Sequence, residues 1–146
     1  MWRWLCLGLC ALGVMVGLRF VWASELVYLS AEWLPDDAFY YLQPARTFAE
    51  LGTFSFDGSS PTYGFHPLWM LTLGSLGILI QDADTFLRAA LTLGVLSQAL
   101  CAYLAYAWLG AGRRGLVGAT LILLNPGIFH LLATGMEATL VAPLLL

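Results

Sequence analysis

Residues 4–23 have the sequence WLCLGLCALGVMVGLRFVWA, and residues 86–109 have the sequence FLRAALTLGVLSQALCAYLAYAWL. Each stretch reaches the length of about 20 mostly apolar residues that an α-helix needs to cross a bilayer. A third stretch of this character covers residues 116–133. A fourth, residues 67–80, is shorter, as is typical of interfacial or re-entrant helices. The sequence therefore predicts an all-α integral membrane protein with about three spanning helices.

The composition of the whole chain favours the same fold class. Of the 146 residues, 60% are hydrophobic and 10% are charged, whereas a soluble domain carries about 25% charged residues. Such a chain cannot cover a globular surface with polar groups, so much of its apolar area must face lipid. The net charge is −3, lysine is absent, and the arginines are scattered apart from one pair. We therefore expect membrane lipid, and no nucleic acid, as a partner.

The positions of the arginines predict the orientation of the spans. Arg3 lies at the N-terminus, and Arg113 and Arg114 lie in a short glycine-rich connection. The positive-inside rule places both sites on the cytoplasmic side, so the first helix runs outward, the second inward and the third outward. Residues 67–80 then lie along the outer surface or dip into it. Residues 24–66 become an outer loop of a multi-pass protein of the cell membrane.

Two alternatives to this topology stay open. If residues 67–80 cross the membrane, Arg113 and Arg114 face outward. The first segment could also be a cleaved signal peptide, because Val21-Trp22-Ala23 before Ser24 forms a passable cleavage site. The later spans favour an uncleaved anchor, and the loop is outside in both cases.

The outer loop contains a predicted amphipathic helix. Pro35-Asp36-Asp37 predicts its start, with an aspartate able to cap free backbone N–H groups, and Gly52 predicts its end. Pro44 should interrupt or kink it. One apolar face is expected of a helix that lies on a membrane surface. The residues of that face are Phe39, Leu42, Ala45, Phe48 and Ala49.

Three places in the sequence are candidates for chemistry. A carboxylate at a helix N-terminus, as at Asp36 or Asp37, is favoured as the anion and suits a base or a metal ligand. The simpler interpretation is a helix cap followed by a first-turn acid. His66 lies where the loop returns to the membrane, and Glu137 follows the third span on the side of the aspartates and needs a polar partner. Residues that could complete a polar wall are Tyr40, Tyr41 and Arg46.

The cysteines are predicted to have a packing role. Cys6, Cys10 and Cys101 all lie in apolar runs. Cys6 and Cys10 would share a helix face, but no histidine or acid lies near them in the sequence. We therefore expect packed thiols, with neither a disulfide nor a metal site.

Several stretches, taken in order, resemble one enzyme family. Asp36-Asp37-Ala-Phe-Tyr-Tyr-Leu, Ala45-Arg46, Phe54-Ser-Phe-Asp-Gly and Pro61-Thr-Tyr-Gly-Phe-His-Pro-Leu-Trp are similar to the first outer loop of bacterial GT-C glycosyltransferases. These polytopic enzymes are related to aminoarabinose, protein O-mannosyl and oligosaccharyl transferases. Asn125-Pro126, followed by Gly135-Met136-Glu137, is similar to their third span and its outer end. The resemblance covers most of the chain.

The resemblance implies a reaction on the extracytoplasmic side of the membrane. A polyprenyl-phosphate sugar would donate its sugar to an acceptor hydroxyl on a glycan, lipid or protein, and the lipid phosphate would leave. In the family, an acid of the first outer loop takes the acceptor's proton or positions the acceptor. Here that role falls to Asp36 or Asp37, with Asp36 slightly favoured. Arg46 and His66 are candidates for binding the donor phosphate, and Tyr40 for binding substrate.

This sequence departs from the family pattern at the second acidic position, and it does not contain the later parts of the enzyme. Glu137 matches a position that binds metal in some members only, and it replaces the aspartates of several relatives. A divalent cation as cofactor is therefore an open question. Family members have further spans and often an outer C-terminal domain, and this sequence stops within an apolar run. We expect it to be the N-terminal part of a longer protein and to be inactive alone.

Two other classes of protein are alternatives. A transporter segment would place ionisable groups near the middle of the membrane on helices broken by glycine or proline. The long acidic outer loop argues against that class. A non-catalytic subunit of a membrane assembly would use the loop as a docking surface, and replacing either aspartate would then leave activity intact.

Overall fold

The computed structural model describes all 146 residues, and its regular secondary structure is entirely helical, as expected. A π-helical turn, Leu29–Trp33, directly follows the second helix. The helices are α1 (Trp2–Ala23), α2 (Leu26–Tyr28), α3 (Asp36–Leu51), α4 (Pro67–Leu79), α5 (Ala83–Trp108), α6 (Arg113–Leu124), α7 (Pro126–Leu132) and α8 (Ala138–Leu144).

Helices α1 and α5 are the two that are long and apolar enough to cross a membrane. They coincide with the spans predicted at residues 4–23 and 86–109, with small differences at the ends. Helix α1 exposes large apolar side chains, including Leu12, Met15 and Val16. A surface of this kind is stable against lipid rather than against water, as expected of a membrane protein.

Arg88 of α5 fixes the position of α1. Its side chain is buried and donates to the carbonyl oxygens of Val21 and Ser24, the latter at 3.1 Å. Its Nε atom lies 2.6 Å from Oδ1 of Asp84, one helical turn earlier. The last carbonyls of a helix have no partner within that helix, so Arg88 supplies donors to the end of α1. The chain therefore leaves α1 and enters α5 at the same end of the pair.

Helix α3 begins and ends close to the predicted residues. Pro35 occupies the N-cap position and no side chain caps the helix, so both aspartates lie in the first turn. The prediction of an aspartate cap is therefore wrong, because the helix starts one residue too early for Asp36 to be its N-cap. Gly52 ends the helix at φ 74°, a left-handed conformation that glycine adopts without strain. Pro44 lies inside the helix and does not end it.

The apolar face of α3 packs against α4. Leu42 and Ala45, expected on a membrane-facing surface, are buried in one core with Leu73 of α4. A Cβ at Gly77 would lie 3.1 Å from the carbonyl oxygen of Ala45. Glycine at this position thus allows the two backbones to approach closely. Helix α4 covers most of residues 67–80 and is too short to meet the length criterion for a span.

The third predicted span, residues 116–133, is divided into α6 and α7, which are bent by 67° relative to each other. The break lies at Asn125, whose extended backbone is the conformation favoured before a proline. The Oδ1 atom of Asn125 accepts a hydrogen bond from the backbone N–H of Ile128 (3.0 Å) and starts α7, with Pro126 as its first residue. One continuous helix was expected here, and the Asn-Pro pair explains the difference.

Gln98 of α5 compensates for the break. Pro126 has no N–H to donate to the carbonyl oxygen of Ile122, as a residue of a continuous helix would. The Nε2 atom of Gln98 donates to that oxygen at 2.9 Å. Gly94, one turn earlier on α5, lies where the end of α7 crosses, and a Cβ there would overlap the carbonyl oxygen of Leu132. Helix α5 thus supplies a hydrogen-bond donor at the break and packs closely against the end of α7.

Cys6 and Cys10 lie buried where α1, α5 and α6 meet, and Cys101 of α5 is also buried. Cys6 and Cys10 belong to one cluster with Ala102 and Ala119, and the Cys10 thiol donates to the carbonyl oxygen of Ala99 at 3.6 Å. All three cysteines are free thiols. They fill space between the helices, as small apolar side chains do.

Replacing Arg88 by leucine should destabilise the protein strongly. The substitution leaves Asp84 without its partner and two carbonyl oxygens without donors. Breaking a buried ion pair by removing one partner costs about 3–5 kcal/mol, and the exposed carboxylate of Asp84 places the loss at the lower end. Unfolding in mixed micelles of increasing denaturing detergent would measure it.

The matched controls for this test are Arg88→Lys and Arg113→Leu. Lysine keeps the charge but lacks the planar fork of donors, so an intermediate loss is expected. Arg113 is exposed at the other end of the molecule, and its replacement should change little. Equal unfolding midpoints for Arg88→Leu and the intact protein would contradict the role of Arg88.

Candidate functional site

A cavity of about 340 Å³ lies between the start of α3, the chain that precedes α4 and the segment that links α7 to α8. Its volume is at the lower end of the range of about 300–1,000 Å³ that is usual for small-molecule sites. The lining combines two carboxylates, a hydroxyl and several aromatic rings. The lining residues are Asp37, Tyr40, Tyr41, Thr62, Tyr63, Gly64, Phe65, Met136 and Glu137.

Two indole groups hold the segment that ends on Glu137. The Nε1 atom of Trp69 donates to the carbonyl oxygen of Gly135 at 2.8 Å, in a buried position. The Nε1 atom of Trp33 donates to the carbonyl oxygen of Ala133 at 2.7 Å. Gly135 has φ 73°, which turns the chain toward α8 at little cost for a glycine. Buried backbone groups need such partners, so the segment has a defined place in the wall of the cavity.

Glu137 is the more enclosed of the two carboxylates that line the cavity. Its Oε1 atom lies 3.5 Å from Nε2 of His66, which supplies the polar partner expected for an acid in this position. Its Oε2 atom is buried and has no hydrogen-bond partner. Burial, and then the neighbouring carboxylate of Glu137, raise the pKa of Tyr41 to about 12. The carboxylate of Glu137 therefore has one buried oxygen without a partner, and the phenol of Tyr41 beside it remains protonated.

The two adjacent aspartates occupy different environments. Asp37 lines the cavity and Asp36 does not, although both side chains are exposed. Successive residues of an α-helix point about 100° apart, whereas residues three and four apart share a face. Asp37, Tyr40 and Tyr41 have this spacing and form the α3 wall of the cavity. The structure thus brings together Asp37, Tyr40, His66 and Glu137 from the predicted set.

Arg46 lies away from the cavity. It is about 13 Å further along α3 than Asp37, at 1.5 Å per residue. Its Nη2 atom lies 3.8 Å from Oε1 of Glu50. Hydrogen bonds from Thr85 lower the pKa of Asp82, and the charge of Arg46 lowers it further. Arg46 therefore faces the connection between α4 and α5.

The loop before the cavity wall is shaped by Asp57. Its carboxylate accepts hydrogen bonds from the Ser59 N–H and hydroxyl, the Ser60 N–H and the Ser55 hydroxyl, all within 3.2 Å. These bonds hold the pKa of Asp57 well below its usual range. The loop closes where the N–H of Thr62 donates to the carbonyl oxygen of Phe54 at 2.8 Å. The carboxylate of Asp57 is thus hydrogen-bonded within its own turn. This turn places residues 62–65 at the cavity.

Two exposed tyrosines lie at the cavity, and only one of them was predicted from the sequence as a site residue. Tyr40 was predicted at the site and is 59% exposed, with the ring of Phe56 beside it at a centroid distance of 5.5 Å. Tyr63 was not singled out, and it is 84% exposed. It lies before Gly64, whose φ of 94° reverses the chain toward Phe65. An aromatic residue next to a glycine in a polar loop is the signal that could have identified it.

A second cavity, of about 400 Å³, lies between α1 and the break that separates α6 from α7. Gln98, Thr120 and Asn125 are its main polar side chains, and none of its lining residues is ionisable. Gln98 and Asn125 already bond to the backbone at the break. This cavity offers space for apolar groups and no acid–base chemistry.

A divalent cation would find few protein ligands at Glu137. No three histidine, cysteine, aspartate or glutamate side chains are close enough together to hold a metal ion. With His66 as the nearest such group, the remaining ligands would have to come from water or substrate, as they often do for Mg²⁺.

No protein-family model matches this chain, and no curated protein or solved structure does so either. The function of the cavity must therefore be inferred from its own chemistry.

Replacing Glu137 by glutamine should lower the pKa of Tyr41. The substitution removes the negative charge beside the phenol, so the pKa should move from about 12 toward the ordinary value. Burial, which is the larger cause, should keep it above about 10. The measurement is the ultraviolet absorbance of tyrosinate during a pH titration, with the Tyr41→Phe protein subtracted to isolate this residue. Identical titration curves before and after the substitution would show that Glu137 does not act on Tyr41.

Proposed function

We propose that this chain belongs to a membrane glycosyltransferase, which moves a sugar from a polyprenyl-phosphate donor to an acceptor hydroxyl on the extracytoplasmic face. The observation that carries the proposal is the cavity in which Asp37 and Glu137 face one space lined by tyrosines. The cavity lies next to helices that are able to cross a membrane. This combination suits the binding of a hydroxyl-bearing substrate close to a lipid-linked one.

The course of the chain supports an extracytoplasmic site. Because Arg88 binds the end of α1, residues 24–82 depart from and return to the same end of the α1–α5 pair. At the opposite end, Cys6 of α1 packs with Tyr106 of α5, and Gly115 of α6 lies against Tyr106. The N-terminal Arg3 and the Arg113-Arg114 pair belong to that end. By the positive-inside rule it faces the cytoplasm, and the cavity faces outward.

Asp37 is assigned as the base. It lies in the first turn of α3, where the free N–H groups and the helix dipole favour a carboxylate anion. The acceptor hydroxyl gives its proton to this carboxylate while its oxygen forms a bond to the anomeric carbon of the donor sugar. The bond from that carbon to the phosphate oxygen breaks, and the polyprenyl phosphate leaves with the electron pair. The family pattern slightly favours Asp36 as the base. Asp37 is assigned instead, because only Asp37 lines the cavity.

Glu137, Tyr41 and His66 are assigned to positioning and binding. The carboxylate of Glu137, which lines the cavity, accepts a second hydroxyl of the acceptor. Tyr41, whose pKa is raised by burial and then by its hydrogen bond to Glu137, directs its phenol at the Glu137 carboxylate and helps to position it. His66 is 61% exposed on its side chain and does not line the cavity. A donor phosphate that contacts His66 would therefore lie at the edge of the cavity and outside it.

The polar groups inside the spanning helices argue against transport. Transporters keep ionisable groups near the middle of the membrane for their substrate. Arg88 is instead bound to Asp84 and to two carbonyl oxygens, and Gln98 is bound to the break between α6 and α7. Both side chains are engaged in hydrogen bonds that hold the helices together. The side chains that remain for a reaction are those of the outer cavity.

Asp37→Asn should abolish sugar transfer. Loss of a general base lowers the rate by about 10²- to 10⁴-fold, and asparagine keeps the size of the side chain and one of its two acceptor oxygens. The assay follows sugar release from labelled polyprenyl-phosphate donors in membranes that contain the protein. Protein level and membrane insertion are measured in the same membranes.

Asp36→Asn is the matched control, since it makes the same chemical change one residue away and outside the cavity. It should retain transfer within a few-fold of the intact protein. Loss of transfer in Asp36→Asn alone would assign the base to Asp36. Equal turnover in the intact protein and both variants would leave the two acids as first-turn residues of α3 and favour a non-catalytic assembly role.

A further inference from the structure

The cavity carries negative charge without a compensating positive group in its lining. Asp37 and Glu137 are its two carboxylates, and no arginine or histidine is among the lining residues. The chain contains no lysine. Of the nearby arginines, Arg46 faces Glu50 and Arg88 is bound to Asp84. His66 lies 3.5 Å from the Glu137 carboxylate but at the edge of the cavity and not in its lining. A phosphate or carboxylate group inside the cavity would therefore meet two like charges with no positive group in the lining.

The same carboxylates suit a ligand that is rich in hydroxyl groups. An ionised carboxylate is a strong acceptor and has no proton to donate. The Glu137 side chain is 26% exposed and lines the cavity, and none of the chain's side chains or N–H groups donates to its Oε2 atom, so the carboxylate has unused capacity to accept a ligand hydroxyl. Asp37 offers a second acceptor across the cavity, and Thr62 adds a hydroxyl that both donates and accepts.

Exposed aromatic rings at the same cavity supply the other half of sugar recognition. Tyr63 is 84% exposed and Tyr40 is 59% exposed, although both line the cavity. The face of an aromatic ring is negative, and the C–H groups on one side of a sugar ring carry partial positive charge, so the two surfaces pack favourably. Tyr40 is supported from behind by Phe56 at 5.5 Å, whereas Tyr63 has its ring free for a ligand.

We propose that the cavity binds an uncharged sugar ring of the acceptor, with Tyr63 packed on the ring and with Asp37 and Glu137 accepting its hydroxyl groups. This inference rests on the proposed glycosyltransferase function and names the substrate class of the same site. The donor sugar fits less well, because its phosphate is attached directly to the ring and would enter the negative cavity with it. The acceptor is therefore a neutral glycan or glycolipid headgroup rather than a phosphorylated one.

The test is sugar binding to the protein in lipid nanodiscs, measured by calorimetry or saturation-transfer NMR. The probes are the methyl glycosides of glucose, galactose and mannose, with glucose 6-phosphate as the anionic counterpart. At least one methyl glycoside should bind, and glucose 6-phosphate should bind at least about tenfold more weakly because of charge repulsion. Tyr63→Ala should weaken the neutral ligand by about two- to tenfold, the range for one stacked ring.

Two variants separate the contributions of charge and aromatic packing. Glu137→Gln removes one negative charge and keeps an acceptor oxygen, so the preference for the neutral sugar over glucose 6-phosphate should shrink. Tyr28→Ala removes an exposed tyrosine that packs on Phe20 outside the cavity, and sugar binding should not change. This pattern would support the proposal.

Several results would overturn the assignment of a neutral sugar. They are the absence of binding by all three methyl glycosides, tighter binding of glucose 6-phosphate, or a Tyr63→Ala effect no larger than that of Tyr28→Ala. The last result would make Tyr63 a membrane-interface aromatic residue. If Asp37→Asn still abolishes transfer, any of these results leaves the proposed reaction in place. Sugar binding combined with turnover that ignores both aspartates would instead contradict the reaction.

Discussion

The contact between Arg88 and the end of α1 is the constraint on which the rest of the structure depends. A buried guanidinium is stable only when its charge and its donors are satisfied, and here Asp84 and the carbonyl oxygens of Val21 and Ser24 do so. The contact brings together the two ends of residues 24–82, so this long segment must fold back on itself. Packing of α3 on α4 buries its apolar side chains, and the polar residues remain for the cavity.

The second wall of the cavity depends on the break between α6 and α7. A straight helix over residues 116–133 would carry Glu137 away from α5, whereas the 67° bend lays α7 across α5 at Gly94. From there Trp33 and Trp69 bind the carbonyl oxygens of residues 133 and 135. The bend is stable because Gln98 donates to the carbonyl oxygen that a proline cannot serve. A glutamine in an apolar helix thus contributes to placing an acid far from it in the sequence.

Local patterns predicted much of the fold and part of the site. Apolar length identified α1 and α5, and the Pro-Asp and Gly52 signals placed both ends of α3. The residues that were missed depend on long-range contacts. Asn125-Pro126 was visible in the sequence, but the angle depends on Gln98 and Gly94. Asp37 could be separated from Asp36 only after the face of α3 that lines the cavity was known, and nothing local paired His66 with Glu137.

The charges of the molecule separate two chemical tasks that a lipid-linked sugar transfer requires. The acceptor needs a base and hydroxyl-binding groups, which the negative cavity provides, and the leaving phosphate needs positive charge, which the cavity excludes. His66 lies between the two, with Nε2 at 3.5 Å from Glu137 and more than half of its side chain open to the outside. Its exposed imidazole is the ring at the edge of the cavity that can donate a hydrogen bond to a phosphate. The proposed reaction therefore places the acceptor inside the cavity and the donor phosphate at its His66 edge, so that the anomeric carbon lies between Asp37 and His66.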